Sequence, residues 1–221
     1  MAGDMSRTLI SGVSFVGLRM RLENRPAQRP VPVELAAMAR QGDRTGPASW
    51  RVHTPIEPPD PATPPPPAPS APVAPPELGT LAAAFADVER RVVRDTPHAL
   101  VVVNGFVEKA VVWEQRAYCP RLASCVLLDV MGLAAAIRPA ATRLPFEARL
   151  QQIGVEVPAG ERALTWDVYA AMTLFQHVVT TGVSTGRWST LDDLIRIAGT
   201  VPSPVEPEFL PVPDVQESLF D

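Results

Sequence analysis

Residues 99–108 read Ala-Leu-Val-Val-Val-Asn-Gly-Phe-Val-Glu, and this stretch decides the fold class. Its first five residues are all apolar, a pattern typical of a strand that is buried on both faces of a sheet. The Asn104-Gly105 pair ends the strand, and residues 108–116 have the pattern of a helix. The stretch therefore predicts a βα unit at the centre of an α/β domain.

The segments on either side of this unit extend the α/β pattern. Upstream, strands are predicted at residues 14–21, 32–38 and 50–56. Residues 77–94 have apolar side chains three and four positions apart, which favours an amphipathic helix. Downstream, a strand is predicted at residues 124–129, and helices at 130–137, 145–153, 163–179 and 190–198.

Composition and charge limit the classes of function. The chain has 221 residues, 46% of them hydrophobic, which is enough for one domain with a real core. The net charge of -4 argues against a large nonspecific nucleic-acid surface, although residues 1–53 are basic. Cys119 and Cys125 are expected to be reduced thiols. Because no signal peptide or membrane-spanning run is evident, the expected location is the cytoplasm, without membrane contact.

Two segments have compositions that do not suit a packed core. Residues 55–76 contain 12 prolines in 22 positions, which predicts an insertion loop or spacer of polyproline II character. Residues 202–221 carry five acids and no Lys or Arg, and they are rich in proline. We therefore expect one domain over residues 1–200, interrupted by the loop at 55–76, and a flexible, disordered acidic tail at 201–221.

Four motifs occur in the order that they have in one nuclease family. They are residues 15–21 (Phe-Val-Gly-Leu-Arg-Met-Arg), 103–108 (Val-Asn-Gly-Phe-Val-Glu), 162–167 (Arg-Ala-Leu-Thr-Trp-Asp) and 186–194 (Gly-Arg-Trp-Ser-Thr-Leu-Asp-Asp-Leu). They resemble the DEDD-type 3'-5' exonuclease family, which includes the proofreading (epsilon) subunit of bacterial DNA polymerase III. The resemblance implies a ribonuclease-H-like fold, a mixed five-stranded sheet flanked by helices.

Most of the family's catalytic positions are altered in this chain. The first strand of the family carries Asp-x-Glu, and here the two positions are Arg19 and Arg21. The Asp of the second motif is Glu108, and the His of the third motif is Arg162. Asp167 keeps both the identity and the spacing of the family's last acid.

These replacements predict a degenerate catalytic site with no metal or other cofactor. Enzymes of this kind hydrolyse phosphodiesters with two divalent ions, about 4 Å apart, held by clustered carboxylates. Arginine at a ligand position removes a carboxylate and adds positive charge, and the guanidinium of Arg162 cannot act as a general base. The runner-up is an active 3'-5' exonuclease that binds Mg²⁺ or Mn²⁺ at a rearranged site made of Glu23, Glu108, Asp129 and Asp167.

Two roles for the three arginines stay open at the level of sequence. They form ion pairs with Glu108 and Asp167 inside a decayed site, or they hold a phosphate without cutting it. A shifted register that places Glu23 at the family's Glu position puts Arg21 at the Asp position. One required acid is therefore an arginine in either register.

The last residues carry a second motif. Residues 216–220, Gln-Glu-Ser-Leu-Phe, resemble the Gln-x-x-Leu-Phe core of the bacterial sliding-clamp-binding peptide. In that resemblance Leu219 and Phe220 fill an apolar pocket, and Gln216 forms a hydrogen bond at its rim. Together the motifs imply an accessory protein of DNA replication or repair. Its implied partners are the sliding clamp, a DNA polymerase subunit and weakly bound single-stranded DNA or 3' ends. A protein–protein scaffold without nucleic-acid contact is the second alternative.

Overall fold

The computed structural model describes residues 8–23, 31–40, 48–51, 79–92, 98–103, 105–139 and 144–203. In this part of the chain the strands are β1 (Ser14–Glu23), β2 (Val31–Arg40), β3 (Ala48–Arg51), β4 (His98–Val102), β5 (Val126–Asp129) and β6 (Gly199–Thr200). The α-helices are α1 (Leu81–Val92), α2 (Phe106–Glu114), α3 (Pro120–Ala123), α4 (Val130–Ile137), α5 (Phe146–Gln152), α6 (Leu164–Ser184) and α7 (Leu191–Ala198).

The strands form one mixed sheet in the order β3-β2-β1-β4-β5-β6. β2 runs antiparallel to both of its neighbours, β1 and β3. β1, β4 and β5 are parallel, and β6 runs antiparallel to β5. The crossover through α1 places β4 beside β1, as a parallel connection requires. The predicted fold class, a mixed sheet flanked by helices in a ribonuclease-H-like arrangement, agrees with this structure.

The observed elements differ from the predicted ones mainly in short pieces. β6 adds a sixth strand to the five expected, because a Gly-Thr pair has no apolar pattern and its pairing with Leu127 and Leu128 is a long-range contact. The single-turn helix α3 was not predicted, and α6 continues to Ser184, five residues beyond its predicted end. The predicted third strand at 50–56 is observed as β3, and residues 52–56 lie outside the described residues.

The central βα unit has the burial that its sequence predicts. All five residues of β4 are buried, and their side chains alternate between two core clusters. Ala99 and Val101 pack in the cluster with α4, α6 and α7, whereas Leu100 and Val102 pack in the cluster with α1 and α2. The sheet is therefore covered by helices on both faces, and α2 begins four residues after β4 ends.

The packing of α6 against β1 places the candidate site. Phe15 lies in the α6 cluster and its ring centroid is 4.8 Å from that of Phe175. A Cβ atom at Gly17 would lie 2.6 Å from the Cγ of Met172, so glycine at this position permits a close helix–strand approach. Since alternate strand residues share a face, Arg19 and Arg21 follow Phe15 and Gly17 along the same face of β1.

Two predicted segments cannot be compared with the structure. The proline-rich loop at 55–76 and residues 204–221 of the predicted tail lie outside the described residues.

Among the helices of the described residues, none combines the length and the apolar character that crossing a membrane requires.

Candidate functional site

The five positions taken from the family pattern converge in the structure. Arg19 and Arg21 lie on β1, Glu108 lies in the first turn of α2, and Asp167 lies in the first turn of α6. Arg162 precedes α6 by two residues. The three arginines form ion pairs with five carboxylates, and we call these eight residues the arginine–carboxylate network. They are Arg19, Arg21 and Arg162 with Glu34, Glu108, Glu147, Glu161 and Asp167.

Glu108 is a nearly buried carboxylate that pairs with Arg19. It is 6% exposed, and its Oε1 lies 3.4 Å from the Nη1 of Arg19. The same nitrogen donates to the backbone carbonyl of Val103 at 3.2 Å. Burial raises the pKa of Glu108, and the positive charge of Arg19 opposes that rise. The Nε of Arg19 is buried and has no hydrogen-bond partner among the described residues, so the pair is held through one nitrogen.

Arg162 joins α5 to the beginning of α6. Its Nη2 donates to the Oε1 of Glu147 at 2.9 Å, and its Nε lies 3.4 Å from the Oδ1 of Asp167. The guanidinium also stacks over the ring of Trp166, 5.0 Å from the centroid. Burial raises the pKa of Asp167, while Arg162 and then Arg19 and Arg21 lower it. A hydrogen bond from its own backbone N–H and one from Arg162 lower the pKa of Glu147.

Arg21 connects the sheet to the segment that precedes α6. Its Nη2 donates to the backbone carbonyl of Arg162 at 2.6 Å, and its Nη1 donates to Glu161 at 3.0 Å. Its Nε lies 3.5 Å from Glu34, the residue opposite it on the antiparallel strand β2. One guanidinium therefore joins β1, on which it lies, to β2 and to the segment that precedes α6.

The network fits internal ion pairing better than metal or phosphate binding. Each of its three guanidinium groups has a carboxylate partner within 3.5 Å. Arg19 lowers the pKa of both Glu108 and Asp167, so positive charge lies where the two retained acids converge. Among the described residues, no group of three or more His, Cys, Asp or Glu side chains is placed to hold a metal ion. The residues present do not fit a two-metal centre.

Comparison with known proteins gives a likeness of fold. No family model and no curated protein matches the sequence. A chain of the structure of the yeast NOT1 MIF4G domain co-crystallized with CAF1 matches with a TM-score of 0.50 and 9% identity, over 85% of this chain and 86% of that one. Exonuclease X in complex with 5' overhanging duplex DNA matches with a TM-score of 0.40 and 14% identity, over 81% and 97% of the two chains. At sequence identities this low, the similarity is one of backbone arrangement alone.

Of the remaining predicted site residues, the structure describes Asp129 and Glu23. Asp129 caps the N-terminus of α4, because its Oδ1 accepts a hydrogen bond from the backbone N–H of Met131 at 3.0 Å. Its charge raises the pKa of Glu108, which places it on that side of the network. Glu23 is the exposed last residue of β1. The motif residues Asn104, Gln216, Leu219 and Phe220 lie outside the described residues.

The sequence analysis did not single out three of the network's carboxylates. Glu34 was predictable in principle, because antiparallel pairing of the first two strands places it opposite Arg21. Glu147 and Glu161 have no comparable local signal. Glu147 meets Arg162 only when α5 packs beside α6, and Glu161 meets Arg21 only when the segment before α6 reaches β1.

Proposed function

We propose that this chain is a noncatalytic exonuclease-like accessory protein of DNA replication or repair, tethered to a sliding clamp by residues 216–220. The observation that carries the first part is the pairing of the two retained acids. Glu108 lies 3.4 Å from Arg19, and Asp167 lies 3.4 Å from Arg162. The two acids that the resemblance assigns to metal binding thus both have a guanidinium partner.

The chemistry of phosphodiester hydrolysis supports this proposal. Two divalent ions must approach a cluster of carboxylates and lower the pKa of a bound water. In the network a divalent ion near Glu108 would have to displace a fixed positive charge and would be repelled by it. Arg162 occupies the position of the general base, and a guanidinium does not deprotonate in proteins. Metal binding and proton abstraction are both disfavoured.

A nuclease assay tests the first part. The full chain is incubated with 3'-labelled single-stranded DNA and either Mg²⁺ or Mn²⁺, beside an Asp167→Ala variant purified in the same way. We expect equal, background digestion by both proteins. The matched control is Asp192→Ala, which removes a half-buried acid on α7 that pairs with Arg196 and not with the network's arginines. Digestion that Asp167→Ala abolishes and Asp192→Ala retains would establish the active exonuclease instead.

The clamp tether rests on the motif alone and has its own test. A peptide of residues 202–221 is titrated with a bacterial sliding clamp, and binding is followed by fluorescence anisotropy. Truncation of a buried anchor typically costs more than about 2 kcal/mol, so the Leu219→Ala, Phe220→Ala peptide should bind at least about thirtyfold more weakly. Glu217→Ala is the control and should bind as the parent does. Equal affinity of the parent and double-alanine peptides would make the motif a coincidence.

A further inference from the structure

We infer that residues 154–163 form a strap whose second half Arg21 latches to β1, at the edge of the arginine–carboxylate network. The strap joins α5 to α6 and contains no helix or strand. The contacts that hold the strap all lie within this chain and do not depend on DNA cleavage or clamp binding.

Two glycines give the strap its turning points. Gly154 has a φ of +78° and Gly160 a φ of +85°, values that side-chain-bearing residues rarely adopt. An added Cβ atom would meet nothing within 4 Å at either position, so the need for glycine is conformational and not steric. Between the two glycines, Val155 and Val157 are partly buried against the core, whereas Pro158 and Ala159 are exposed. The first half of the strap is anchored by packing and the second half is not.

The second half is held by side chains. No backbone–backbone hydrogen bond joins residues 156–161 to another described part of the chain. Arg21 donates both of the hydrogen bonds that hold it. One goes to the carbonyl of Arg162 at 2.6 Å and the other to the Glu161 carboxylate at 3.0 Å. Glu161 is 87% exposed, so that ion pair adds little, and the charged hydrogen bond to the carbonyl is the stronger contact. Arg21 is itself braced by Glu34 on β2.

Opening of the strap would change the surface of the network. The backbone of Arg162 carries the side chain that pairs with Glu147 and Asp167 and stacks on Trp166. Opening that displaces Arg162 itself breaks these three contacts together, because they share one residue. The open form therefore presents an acidic and aromatic surface that the closed form covers with a guanidinium.

Limited proteolysis of the full chain tests the latch. Trypsin cleaves after arginine, and the rate of cleavage after Arg162 follows the population of the open strap when opening is fast relative to cleavage. Loss of one hydrogen bond from a charged donor should raise the population of the open strap about tenfold, so Arg21→Gln should accelerate this cleavage by the same factor. Cleavage after Arg187, an exposed residue outside the strap, should keep its rate.

The controls separate a latch from a general loss of stability. Arg196→Gln removes an exposed arginine that pairs with Asp192 and Asp193 on α7, and it should leave cleavage after Arg162 unchanged. If Arg21→Gln does not fold, Arg21→Lys keeps the charge but loses the forked donor, and it should give an intermediate acceleration. An unchanged rate after Arg162 in the folded variant, or an equal acceleration after Arg187, would overturn the latch.

Discussion

Replacement of Arg19 by methionine should expose how strongly the buried carboxylate depends on its cation. The substitution keeps most of the side-chain length and removes the charge that lies 3.4 Å from Glu108. At that separation, and with an effective dielectric constant of about 20, the attraction is about 5 kcal/mol. The side chains are 22% and 8% exposed, so solvent screens the pair less than a surface pair. After relaxation, we expect the free energy of unfolding to fall by about 3 kcal/mol near neutral pH, which is typical of a broken buried pair.

The same substitution should give a pH dependence of known sign. Burial already raises the pKa of Glu108 above its ordinary value, and loss of Arg19 removes the main influence that lowers it. The native state then binds more protons than the unfolded state above the ordinary glutamate pKa, so its stability falls as pH rises through the folded pKa. The deficit of Arg19→Met relative to the parent should therefore be larger at pH 8 than at pH 5.

Urea denaturation of four proteins at both pH values provides the measurement. They are the parent, Arg19→Met, Glu108→Gln and the double variant, and together they form a double-mutant cycle. Because Glu108→Gln removes the buried charge, the double variant should recover most of the stability that Arg19→Met loses. The dependence of Glu108 on Arg19 is refuted if the free energy of unfolding of Arg19→Met lies within about 0.5 kcal/mol of the parent's at pH 8. It is also refuted if Glu108→Gln gives no rescue.

Three further outcomes are expected. Arg19→Asp should place a carboxylate near Glu108 and Asp167, the two acids whose pKa Arg19 lowers, and so create affinity for Mn²⁺. Electron paramagnetic resonance of free Mn²⁺ measures it, and a signal equal to that with the parent would contradict the expectation. A nucleoside monophosphate at millimolar concentration should cause no amide shifts in the network, because its arginines already have carboxylate partners; specific shifts would favour the phosphate site. Gly182→Ala, whose Cβ would lie 1.9 Å from the Trp188 ring, should lower the free energy of unfolding by about 2 kcal/mol, whereas Val183→Ala beside it should not.

The elements that the sequence predicted well are those whose signal is local and repeated. The five consecutive apolar residues at 99–103 predict a strand that is buried on both faces, and every residue of β4 is buried. The start of α7 is also encoded locally, since Thr190 and Asp193 form a capping box within four residues. The motif spacing placed Arg19, Glu108 and Asp167 in one site, and the structure brings their side chains together.

By itself, then, the sequence determined the α/β class, the central βα unit and the presence of arginine at positions 19 and 21 of the first strand. Only the tertiary structure decided which groups these arginines contact. Arg21 donates to the carbonyl of Arg162, which is 141 residues away in the sequence. Every residue has a backbone carbonyl, so the sequence does not indicate which one an arginine contacts. Glu147 pairs with Arg162 because α5 packs beside α6, a contact that no local propensity encodes. Local patterns specify strands and helices through backbone preference and burial, whereas ion-pair partners depend on how distant elements are packed.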